Sequence, residues 1–153
     1  MTVATVFPTV LDKLIAALGS ASSLSGIRVF DGAEVDETYP KDAIAIGHDG
    51  TFGDSQIQAG VASNTPFTFT DTHEEDGQIS CSLWSQDGIS KYAPLRIRAF
   101  ALLGAIDTVI RADSTLTGTN LYTYLSSHAV SYRATPQGNA VVITFIITYK
   151  AQS

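Results

Sequence analysis

Cysteine is almost missing from this chain: Cys81 is the only one in 153 residues, so no internal disulfide framework can form. Folding in a reducing cytosol is the expectation. Long apolar runs are missing too, since none reaches the roughly 20 residues that a bilayer-spanning helix needs. The opening MTVATVFPTVLDK has neither a basic n-region nor a small-residue cleavage site. Neither membrane insertion nor secretion by signal peptide is expected. Basic residues are also few, with 9 Lys and Arg against 15 Asp and Glu, a net charge of -6. That balance argues against non-specific nucleic-acid binding, which needs a clustered basic surface to displace counterions from phosphates.

What is present suits a globular protein. Hydrophobic residues make up 44% of the chain, so disorder throughout is excluded. A domain of about 150 residues buries roughly 70% of its unfolded surface, enough for one core. The acids are unevenly spread. Twelve of the 15 fall between Asp31 and Asp87, where Lys41 is the single base, while residues 91–153 hold six bases against Asp107 and Asp113. If the asymmetry survives folding, one end of the molecule carries negative potential suited to a neighbour's positive surface. A solvated acidic loop face is the other reading.

The stretch FPTVLDKLIAALG places Phe7, Val10, Leu11, Leu14, Ile15 and Leu18 three and four apart, one stripe of an amphipathic helix with Pro8 in its first turn and Gly19 as its stop. GIRVF and AIAIG read as short strands joined by an acidic connection. A second helix is expected from a Ser90 cap to about Ala112, with Pro94 in its first turn and a core stripe through Tyr92, Leu95, Ala99, Leu102, Leu103, Ile106, Val109 and Ile110. It would extend roughly 33 Å, long enough to cross a sheet. Ala101, Gly104, Ala105 and Thr108 form a small-residue stripe suited to close approach by the sheet or the first helix.

Two hairpins are expected, at about 67–86 with its tip at Asp76-Gly77, and at about 128–151 with its turn in TPQGN. Alternation puts Ile79, Cys81 and Leu83 on one face, and Val141, Ile143, Phe145, Ile147 and Tyr149 on one face of the last strand. The opposite face, Val142 to Lys150, is half apolar, which fits cover by a helix or another subunit. Between these elements HDGTFGDSQIQAGVASNTP, residues 48–66, has no clear period, and loops beyond about 12–15 residues are usually functional or disordered. The whole reads as one α+β domain over 1–153, a mainly antiparallel sheet with two helices packed on one face, a long loop and β-hairpin extensions.

Signatures of chemistry are lacking. There is no G-x-S-x-G turn to project a strained serine, no Lys-Ser/Thr after the glycines of GHDGTFG, and no H-x-x-x-H or C-x-x-C spacing. Cys81 alternates with Ile79 and Leu83 and reads as an inert core thiol. His48-Asp49 and His73-Glu74-Glu75-Asp76 lie at expected turns, where solvated histidine and carboxylate are the default, and His128 carries no signal. No catalytic residue, cofactor or metal is expected. By parity Trp84 joins Gln78, Ser80 and Ser82 on the face away from the core, the place of an interface anchor; a strand-end irregularity would turn it inward.

Taken in order, FPTVLDKLIAAL, GIRVFDGAEVDETYPKDAIAIGHDG, EEDGQISCSLWSQDG, SKYAPLRIRAFALLGAIDTVIRADSTLTG and VSYRATPQGNAVVITFIITYKAQ resemble tail terminator proteins of long-tailed, siphovirus-type bacteriophages, especially those of actinobacteria. The likeness covers nearly the whole chain. It implies a non-enzymatic virion protein at the head-proximal end of the tail, assembled in the host cytoplasm. Six copies would form a ring on the last ring of the tail tube protein, end tube growth and present the surface that joins the head–tail connector or neck protein, with DNA passing through the ring. The candidate interface residues are Phe52, Gln56, Ile57, Gln58 and Val61 in the loop, Glu74, Glu75 and Trp84 in the first hairpin, and Arg96, Arg98 and Arg133 from the basic part. Residues 50–66 are expected to order against a neighbour on assembly. A neck or head-completion protein, a small hydrolase and a cellular binding module are the alternatives.

Overall fold

Apolar residues spaced three and four apart build both helices, and long alternating runs build the centre of the sheet. The computed structural model describes residues 5–32, 41–50, 57–66, 73–88, 91–116, 121–135 and 138–152. In chain order they form α1 (Phe7–Ser20), a short 3-10 turn (Ser22–Leu24), β1 (Arg28–Asp31), β2 (Asp42–Ile46), β3 (Gly60–Pro66), β4 (His73–Asp87), α2 (Tyr92–Ala112), β5 (Leu121–Thr135) and β6 (Gly138–Gln152).

One six-stranded sheet runs β1-β2-β4-β6-β5, with β3 also paired to β4. Only the β1–β2 pair is parallel. The fold is α+β, with α1 against β1 and β2, and α2 against β4, β6 and β5. Both helices bury their stripes on the same sheet face. Val10, Leu14 and Leu18 of α1 and Leu95, Ala99, Ile106 and Ile110 of α2 meet Ile44, Ile46, Ile79, Cys81, Leu83, Ile143, Phe145, Ile147 and Tyr149. Each fully buried Leu, Ile or Phe contributes about 1.5–3 kcal/mol by leaving water. Gly77 makes one close contact possible: a Cβ there would run into the Tyr149 ring, which lies across β4 at that point.

Several expectations are corrected. Gly19 does not stop α1, which runs to Ser20; the extended backbone of Ala21 ends it, and the Ala21 N–H donates to the Leu18 carbonyl. The N-cap of α2 is Lys91, with no side-chain cap, and not Ser90, which lies outside the described residues. The small-residue stripe faces outward: Ala101, Gly104 and Thr108 are exposed, because Leu102, Leu103 and Ile106 take the buried side.

The first hairpin is built from other residues than expected. Its first strand is β3, so residues 60–66 belong to the sheet and not to the loop, while 67–72 lie outside the described residues. Asp76-Gly77 is no tip either. It lies inside β4, paired with Ala62 and Ser63 on one side and with Lys150 and Tyr149 on the other. The last hairpin begins earlier than 128, since β5 pairs with β6 from Leu121 onward, with a bulge between Leu125 and Ser127.

Candidate functional site

β2 and β3 lie end to end along the same edge of β4. Ile46 pairs with Cys81 and Gly60 with Ile79, so a single β4 residue, Ser80, spans the interval at which the chain leaves after Ile46 and returns at Gly60. Its backbone is satisfied by both feet of that excursion. The Ser80 carbonyl accepts from the His48 N–H at 2.9 Å, and the Ser80 N–H donates to the Ala59 carbonyl at 2.9 Å. The Gln58 N–H then donates to Asp49 Oδ2 across the base at 3.0 Å. The excursion is thus an insertion into a strand line, clamped at its neck.

His48 is buried at this neck, a correction to the solvated turn histidine expected. The Gly50 N–H donates to its Nδ1 at 2.9 Å, which requires an unprotonated nitrogen, and Ser82 Oγ lies 3.1 Å from the same atom. Burial lowers its pKa, with Asp49 opposing in part. Gly50 has a positive φ of 86° and lies against Thr144, so the neck folds down on the back of β6, the sheet face without helices. That face is therefore covered in part by the chain itself.

Two candidate interface residues prove to be internal. Glu75 is buried: its Oε1 accepts from the Val6 N–H at 3.2 Å and its Oε2 from the Tyr149 hydroxyl. A carboxylate at the start of α1 suits the positive end of the helix dipole. Burial, then the Glu75 hydrogen bond and charge, push the Tyr149 phenol well above its ordinary range. Trp84 keeps its expected parity on the back face but is buried there. It stacks on Phe30 at 6.1 Å and packs with Ala43, Ala45 and Val142. Both side chains are turned inward.

Arg98 is engaged as well. Its Nη2 donates to both Asp42 oxygens at 2.9 and 3.0 Å, and Nη1 lies 3.9 Å from Asp87, tying α2 to the ends of β2 and β4. Ile57, Gln58 and Val61 lie about the start of β3, whereas Glu74 is opposite Thr65 towards its other end; Gln58 and Val61 are exposed, Ile57 and Glu74 half-buried. Phe52 and Gln56 lie outside the described residues, as does the side chain of His73. A shallow cavity of about 330 Å³ lies between β3 and the start of α1, lined by Thr5, Phe7, Pro8, Gly60, Val61, Ala62 and Asn64, none of them ionisable.

Arg96 and Arg133 belong to a different region, and there the structure gathers residues that sequence reasoning missed. From Ser126 to Ala134 every residue of β5 is exposed. Tyr132 stacks on Tyr92 of α2 at 4.4 Å and accepts a hydrogen bond from Arg96 Nη1 at 2.7 Å. Phe100 meets His128 edge to face. Ile97 is 73% exposed beside them, and Val130 is 40% exposed. On the back face of β5, Tyr122 and Tyr124 are exposed too. The available signal was the alternating LYTYL with Tyr132 beyond it, which extends the strand upstream of 128.

The thiol of Cys81 is buried among apolar groups, and burial pushes its pKa up to about 12, so it is not a thiolate near neutrality. Among the described residues no three His, Cys, Asp or Glu side chains converge as a metal site would require. No protein-family model matches the chain, and no curated protein matches it. The geometry offers a strand edge and a patch of exposed aromatic and apolar side chains.

Proposed function

We propose that this chain is a structural virion protein that assembles through its own copies into a ring, caps the phage tail tube, ends its polymerisation and supplies the head-joining surface. The observation that carries the assembly part is β5, a 15-residue strand whose last part is exposed on both faces, carries Val130 and Tyr132, and has Ile97 and Phe100 of α2 beside it. A strand held by one neighbour gains little for the monomer, and a long edge of this kind is a template for pairing with another chain. The sequence likeness to tail terminators supplies the place of that assembly, namely the tube end.

Electron microscopy of tails assembled without this protein tests the reading. Overlong tails are expected, because nothing stops tube growth; tails of normal length contradict a terminator. Labelled copies on tails before head joining separate it from a neck or head-completion protein, which would be found only on heads or joined particles.

A further inference from the structure

The ring reading leaves open which surfaces of neighbouring copies meet. We infer that the outer edge of β5 receives the β3 edge of a second copy, so that the sheet continues from one subunit into the next; this rests on the assembly proposed above.

Natural sheets protect an exposed edge with charge, proline, bulges or brevity. β5 uses few of these. Past the bulge at Leu125/Ser127 it pairs continuously with β6 from Ser127 to Thr135, holds no proline, and Arg133 is its single ionised residue. No described strand pairs with its outer side. The flank on α2 is basic and apolar: Lys91 and Arg96 are exposed, the first turn has no acid, and Ile97 stands in solvent.

The opposite border of the sheet has the complementary character. β3 carries no charge, exposes Val61 to Thr65, and among the described residues pairs only with β4. Directly behind it on β4 are Glu74, opposite Thr65, and Asp76, opposite Ser63. One Asp76 oxygen, Oδ1, is buried with no hydrogen-bond partner, a carboxylate short of donors. β1, the other border strand, has four residues against seven in β3. With Lys150 of β6 across from Asp76, the β3 side keeps an acidic excess of one charge against the basic, apolar β5 side, and seven paired residues would extend roughly 24 Å.

Pairing β5 with β5 would instead bring two basic flanks, each with Lys91, Arg96 and Arg133, to the same seam, where like charge costs affinity. The heterologous arrangement avoids this and is the type that closes rings.

The test uses the full chain with two added cysteines, Ser131→Cys on β5 and Ser63→Cys on β3, and a short bis-maleimide linker tolerant of register. The expected result is a ladder of covalent oligomers at concentrations where the chain assembles, at least tenfold above either single variant. Self-linking of the Ser131→Cys variant alone would show β5 against β5 and overturn the inference. Ring-shaped particles by negative stain, with no ladder from the double variant, would also overturn it while leaving the ring reading intact. A chain that stays monomeric by light scattering at every concentration, with no ladder, would overturn both.

Discussion

β5 and β6 are neighbours of equal length, 15 residues each, paired along nearly their whole course, yet they live in different solvents. Along β6, Val141, Ile143, Phe145, Ile147 and Tyr149 are fully buried against α2 and the rest of the core, and its other face is buried or half-buried as far as Thr148. Along β5, everything from Ser126 to Ala134 is exposed. Backbone pairing is therefore shared and burial is not. Since stability comes mainly from apolar area removed from water, β6 carries the fold and the outer half of β5 is available for something else.

The sharpest way to break this contrast is to cut equivalent side chains from both strands. Phe145→Ala should cost about 3–5 kcal/mol by urea denaturation of the dilute chain, while Val130→Ala should stay within about 0.5 kcal/mol. Comparable losses would mean that β5 is core after all. Next in size is the buried carboxylate: Glu75→Ala strands the Val6 N–H and the Tyr149 hydroxyl, and each unpaired buried donor costs about 1–3 kcal/mol. Gly77→Ala attacks the same spot by forcing the Tyr149 ring aside, a cost of about 1–3 kcal/mol seen as a lower unfolding midpoint.

A smaller effect is expected with pH. The folded state holds His48 below its ordinary pKa, so its stabilising contribution is complete above about 6.5 and is lost as pH falls from there through the lowered value, when the unfolded chain takes the proton first. Protonated Nδ1 would also face the Gly50 N–H, donor against donor. His48→Asn should flatten this part of the stability profile between pH 7 and 5, and an unchanged slope would place the titration elsewhere. Smallest is Arg98→Ala: the partly exposed bridge to Asp42 and Asp87 is worth at most about 1 kcal/mol.

The sequence made the buried half of the molecule legible because burial imposes a period. Both helices, the faces of β4 and the whole inward row of β6 follow from apolar spacing. β3 was missed for the converse reason: GVASNTP has no buried face, so no alternation marks it. The start of β5 was left out although LYTYL does alternate, exposed Tyr122 and Tyr124 against Leu121, Thr123 and Leu125. Glu75 was placed at a turn because its partners, Val6 and Tyr149, are 69 and 74 residues away. Trp84 shows how parity can be read correctly and exposure wrongly, since the small Ala43 and Ala45 let Phe30 and Trp84 cover each other on the helix-free face. His48 is buried at the base of its loop, where the Gly50 N–H and Ser82 Oγ meet its Nδ1, contacts that no apolar period encodes.

Amide hydrogen exchange, compared between the dilute chain and the assembled particle, bears most directly on the claim that β5 is an assembly edge. Amides of residues 126–134 that point away from β6 should exchange fast in the dilute chain and become strongly protected in the particle, with β6 slow in both. Equal exchange of that stretch in dilute and assembled protein would contradict the claim.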